Sequence, residues 1–197
     1  MDSIYIAMAS LLWYNNYDIF RRQSINHKIS SNFISGLHCA SVLLLNMIPS
    51  INTYSYIQNI SIGYYIYDTY ICINNIKNLS TLGIQLTHHT LTIVFLSCDP
   101  TIYKFPLVFL WGEIGNFSLY PAYYYLQIDD KRNANKWIMI QKITYVPIRT
   151  IFFIYYIVDV YNSIIENNGF IGFWYMCIIM YFLGLYWSLI LLFQPYK

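Results

Sequence analysis

Apolar residues fill this 197-residue chain in long blocks, each closed by a short polar stretch. A helix that spans a bilayer needs roughly 20 mostly apolar residues. Seven stretches approach that length: residues 3–19, 31–50, 56–75, 80–98, 101–126, 137–161 and 170–193. The last, FIGFWYMCIIMYFLGLYWSLILLF, is the most apolar. The first is the weakest, because Asn15, Asn16 and Asp18 crowd its end. Pro106, Pro121 and Pro147 fall inside the fifth and sixth stretches and predict bends there. Connections are short, so consecutive helices are expected to be antiparallel neighbours. The pattern predicts an all-α polytopic membrane protein of six to seven transmembrane helices. Residues 1–30 would form an N-terminal helix and a basic cytosolic loop, and residues 31–195 the main membrane domain.

Composition agrees with the pattern. The chain is 57% hydrophobic and 10% charged, where a soluble domain carries about 25% charged residues. A net charge of +2 is too small to suggest a nucleic-acid partner. Aromatic residues make up 20%, and many suit membrane interfaces. Cys39, Cys72, Cys98 and Cys177 show no CxxC pairing and read as small apolar residues within helices.

Lysine and arginine in short loops set orientation. Arg21, Arg22, Lys28, Lys77, Lys131, Arg132, Lys136 and Lys197 fall on one side, and Lys104 alone on the other. The rich side is expected to be cytosolic, with the N-terminus lumenal and the C-terminus cytosolic.

Ionisable residues within spans are candidates for function because burying them is costly. They are His38, Asp68, His88, His89, Glu113 and Arg149, with Asp159 nearer an interface. At about 1.5 Å per residue from the cytosolic ends, the first six lie roughly 10–20 Å deep. That common layer predicts one polar cavity open to the cytosol. Adjacent helical residues point about 100° apart, so His88 and His89 cannot face the same point. Gln85 and Thr92 extend a polar stripe around His88. Imidazole suits proton transfer and nucleophilic attack, and Asp68 or Glu113 beside it would fix its tautomer. Arg149 or Lys142 could meet phosphate groups. The plainer readings are hydrogen bonds between helices for the histidines, His38 above all, and ion pairs of Asp68 and Glu113 with Arg149. Adjacent histidines are not the i, i+4 pair that presents two ligands on one face, and no metal is expected.

The ordered set SGLHCASVLLL, GYYIYDTYICI, GIQLTHHTLTIVF and WGEIGNFSLYPAYYYLQ resembles the TLC (TRAM, Lag1 and CLN8) domain over roughly residues 30 to 195. Tyr64 to Asp68 and the following His88–His89 helix carry the likeness. The family includes ceramide synthases, which acylate a sphingoid-base amine from acyl-CoA. In those enzymes an aspartate pair follows on the next helix. Here Glu113 and Asn116 occupy that region, so the chain is closer to the wider TLC-domain proteins. The resemblance implies an endoplasmic-reticulum protein of lipid metabolism, with six of the transmembrane helices around a central lipid-binding cavity. Its implied activity is N-acyl transfer from acyl-CoA to a sphingoid base or other lipid amine, without a resident cofactor. His88, His89, Asp68 and Glu113 would be the catalytic residues, and His38, Asn116, Lys142 and Arg149 the substrate contacts. The alternative is a non-enzymatic lipid-binding regulator or sensor of membrane composition, with membrane lipids as its partners.

Overall fold

The computed structural model describes residues 3–24, 26–48, 53–98 and 105–193. These are helical almost throughout, with no strand among them. Lys104 and Lys197, used above to set orientation, lie outside the described residues. Nine α-helices are present among the described residues: α1 (Ser3–Ser24), α2 (His27–Asn46), α3 (Thr53–Asn75), α4 (Leu79–Ser97), α5 (Phe105–Asn116), α6 (Leu119–Gln127), α7 (Lys131–Pro147), α8 (Phe153–Glu166) and α9 (Gly172–Phe193). A π-helical turn, Ile148–Phe152, joins α7 to α8. Among the described residues, three spans are long and apolar enough to cross a membrane: His27–Asn46, Lys131–Glu166 and Gly172–Phe193. The chain divides into two compact units, Met1–Ser97 and Cys98–Lys197.

In the first unit α3 is the central element, with α1, α2 and α4 packed on it. Its middle is buried on nearly every side, from Ser61 to Tyr65 and again at Tyr67, as a helix enclosed by others should be. Helix α2 buries Ser30, Ile34, His38 and Val42, one residue per turn along a single stripe. Its start is fixed by Asn26, whose side chain accepts from the Lys28 N–H at 2.9 Å. Asn78 does the same for α4, accepting from Thr81 N–H at 3.0 Å. Helix α1 continues past Asn15, Asn16 and Asp18 to Ser24, further than the apolar pattern ended it. It is held on α3 by Trp13, whose indole N–H donates to Ile60 O at 3.1 Å. Its other face exposes Ile4, Tyr5, Met8, Leu11 and Leu12.

In the second unit the expected fifth span is not one helix. It breaks between α5 and α6 at Phe117–Ser118. Pro121 is the cause: in a continuous helix its ring would clash with the Phe117 carbonyl and no N–H could reach it. With the break, Pro121 sits in the first turn of α6, where proline is tolerated. Pro106 likewise is the second residue of α5 rather than an interior bend. Pro147 does act within a continuous helix, and the π turn follows it directly. Ala122, Ile138, Tyr145 and Leu191 form a core beneath α6, α7 and α9.

Asp129 turns the chain between α6 and α7 with φ 57°, and Asp130 then caps α7 by accepting from Asn133 N–H at 3.1 Å and from its amide at 2.7 Å. The backbone N–H and side-chain amide of Asn133 hold the Asp130 carboxyl below the usual carboxylate range. A depressed folded value means that this cap is fully present above the unfolded pKa and is lost as pH falls through the folded one. The protection of the Asn133 amide from hydrogen exchange, relative to an unstructured peptide at the same pH, is therefore expected to fall at acid pH in the native chain but to stay level in Asp130→Asn. An equal acid loss of protection in both proteins would refute the assignment.

Candidate functional site

The functional geometry of the first unit is built where α4 lies against α3. His89 is buried and points at α3. Its Nε2 lies 3.2 Å from Asp68 Oδ2, and its Nδ1 lies 3.1 Å from Thr69 Oγ1. With a neutral ring, one proton arrangement satisfies both contacts. Nε2–H donates to the carboxylate, and the Thr69 hydroxyl donates to Nδ1. The opposite tautomer would aim a nitrogen lone pair at the carboxylate. Asp68 and Thr69, adjacent on α3, therefore clamp the two sides of one imidazole. Thr69 is half-buried and the Asp68 side chain keeps 17% of its exposure, so both remain within reach of a bound molecule.

His88 is half-buried beside it, with ring centroids 5.7 Å apart. Both imidazoles bear on Tyr65, at 6.1 Å for His88 and 5.5 Å for His89. Tyr65 thus separates the two orientations that the 100° helical step imposes. The polar stripe beside His88 is partly closed, because Thr92 is buried and donates to the His88 carbonyl at 2.8 Å.

Cys72 stands one turn beyond Asp68 on α3. Asp68, Cys72 and His89 each offer one ligand atom, all within 4.8 Å of one another. Among the described residues no other group of three such side chains could hold a metal ion, and the mixed donor set would suit a borderline ion such as zinc. The direct His89–Asp68 hydrogen bond is the competing use of the same atoms.

His38 does not join this group. It is buried, stacks on Tyr64 at 4.0 Å and 7°, and shares a 3.0 Å hydrogen bond between Nε2 and Ser61 Oγ. The Tyr64 hydroxyl in turn donates to Ser35 Oγ at 2.8 Å. This is the interhelical hydrogen bond expected as its plainer role. Ser61→Ala would cost this buried nitrogen its hydroxyl and is expected to destabilise the fold by about 1–3 kcal/mol. Denaturant melting in detergent micelles would show it, and an unchanged midpoint would contradict it.

The remaining sequence candidates belong to the second unit. Glu113 is buried on α5, and Asn116 is half-buried at the end of that helix. Lys142 donates to Leu192 O at 3.3 Å, which satisfies a terminal carbonyl of α9 and complements its dipole. Arg149 is buried in the π turn, with its guanidinium carbon 5.1 Å from the Tyr145 ring centroid and 4.8 Å from that of Phe153. Within the second unit no carboxylate among the described residues lies within ion-pair distance of it, so the expected pairing with Glu113 is not found. Thr69, Tyr65 and Cys72 were not singled out from the sequence. Their signal was their place within four residues of Asp68 on a helix that faces the histidines.

Comparison of the chain with protein-family models, curated proteins and solved structures gives no match.

Proposed function

We propose that this chain is a membrane enzyme of lipid metabolism that transfers a fatty acyl group from acyl-CoA to the amine of a membrane lipid, a sphingoid base being the first candidate. The observation that carries the reading is the order Thr69 hydroxyl, His89 imidazole, Asp68 carboxylate, at 3.1 and 3.2 Å. Acyl-transfer sites on unrelated folds use that order, because the carboxylate fixes the tautomer that lets imidazole take a proton from the attacking group. His89 is the base, Asp68 its orienting partner, and Thr69 either the attacking hydroxyl or the placeholder for the substrate amine. His88 and Tyr65 line the approach. Low water content at this depth would strengthen each electrostatic contact. The TLC resemblance of the sequence supports the same chemistry. The proposal includes the finer topology: α1, α3 and α4 cross the membrane beside the three most apolar spans. The basic loops face the cytosol, and the protein resides in the endoplasmic reticulum.

One observation favours the rival reading, a lipid-binding regulator. Both ring nitrogens of His89 already have partners inside the unit, so the histidine can be satisfied without chemistry. Lipid mass spectrometry separates the two. Microsomes that contain the chain are given isotope-labelled acyl-CoA and a series of lipid amines. A labelled amide formed by the native chain and lost in folded, inserted His89→Ala supports the enzyme. Identical products from both sink it and leave the regulator.

A further inference from the structure

Arg149 poses a problem that the acyl-transfer reading does not absorb. A guanidinium is charged at every physiological pH, and a buried charge is costly unless paired. Arg149 is 6% exposed, and its Nε is buried without a hydrogen-bond partner. Two aromatic rings lie against the charge, Tyr145 one turn before it and Phe153 one turn after, and the Tyr145 side chain also hydrogen-bonds to it. Cation–π contacts on two faces hold the fork in place and leave its edge, where N–H groups point, to an anion.

The local backbone is arranged around this side chain. Arg149 lies in a π turn, a rare form that recurs at functional sites. Glycine stands where two neighbouring helices approach it. A methyl at Gly112 on α5 would lie 3.6 Å from an Arg149 terminal nitrogen, and one at Gly184 on α9 would lie 3.3 Å from its Cδ. Four elements thus converge on one fixed positive charge, with no acid of the second unit within ion-pair reach among the described residues.

The geometry points to Arg149 as the binding site for the carboxylate of a long-chain fatty acid. Two arguments select that ligand. One guanidinium balances one negative charge, and its planar fork matches two carboxylate oxygens. Arg149 is also central in Lys131–Glu166, a span apolar enough to cross a membrane, with about 26 Å of helix on either side at 1.5 Å per residue. A ligand that brings its own hydrocarbon chain suits such a span. A fatty acid supplies one carboxylate and one such chain.

The test uses the full chain in nanodiscs of neutral phosphatidylcholine, with radiolabelled palmitic acid as probe. Saturable binding is expected in the native chain, with methyl palmitate bound about tenfold or more weakly. Arg149→Gln should bring palmitate down to the level of the ester, and Arg149→Lys should fall between. Acetate and phosphatidate should not displace palmitate, and displacement by phosphatidate would overturn the choice of a carboxylate. Equal binding of acid and ester by the native chain would overturn the proposal, and this arm needs no variant to fold. His89→Ala should bind palmitate as the native chain does, so loss of acyl transfer and loss of this site are read separately.

Discussion

His89→Ala is expected to lower the rate of amide formation by about 10²–10⁴-fold, the usual contribution of a positioned general base. The neighbouring substitutions make the result specific to the arrangement. Asp68→Asn keeps the volume and removes the charge. Its amide N–H would then face His89 Nε2 and drive the proton to Nδ1, which turns the ring into a donor toward Thr69 and leaves no base there. A loss of similar order is expected, as for the orienting carboxylate of serine hydrolases. Thr69→Ser keeps the hydroxyl and should retain activity, whereas Thr69→Val keeps the shape alone. His88→Ala should cost less than His89→Ala, because it is His89 that holds both Asp68 and Thr69. Kinetics on folded protein in microsomes decide this. Equal rates for His89→Ala and the native chain, or a larger loss at His88, would remove His89 from the role of base.

Gly63→Leu carries the largest expected effect on stability. A single added methyl at Gly63 would lie 2.6 Å from Ala9 Cβ and 2.9 Å from the Ser10 nitrogen. The second neighbour is backbone, so α1 as a whole must move away from α3. Small residues on both sides create this close approach, as in many helix pairs within membranes. Leucine should therefore destabilise the first unit by about 3 kcal/mol or more. Gly83 supplies the control. It is also inside a helix, but an added methyl there meets nothing within 4 Å. Gly83→Ala should stabilise by about 1 kcal/mol through helix propensity alone. Thermal unfolding in micelles would compare the two, and Gly63→Leu melting with the native chain would mean that α1 does not depend on this contact.

Much of the helical layout was legible in the sequence. Blocks of apolar residues long enough for a membrane helix, closed by Asn and basic residues, located α1 to α4, α7 to α8 and α9, because length and hydropathy are properties of each segment alone. Asp68, His88 and His89 stood out for the same reason, since ionisable groups are rare in apolar surroundings. Proline positions were legible too, but their consequence was not. A proline breaks a helix or opens its first turn according to where the helix starts, and that start depends on packing around Phe117 and Ser118. The partners of each polar residue were likewise a tertiary matter. Sequence places Asp68 and His89 on different helices, and only the register of α4 on α3 decides that Nε2 meets Asp68 and Nδ1 meets Thr69. The same register gives His38 to Ser61, and α7 and α9 give Lys142 to a helix end. The fold leaves Arg149 between two aromatic rings, because a one-residue rotation of any helix would turn each of these side chains by about 100°.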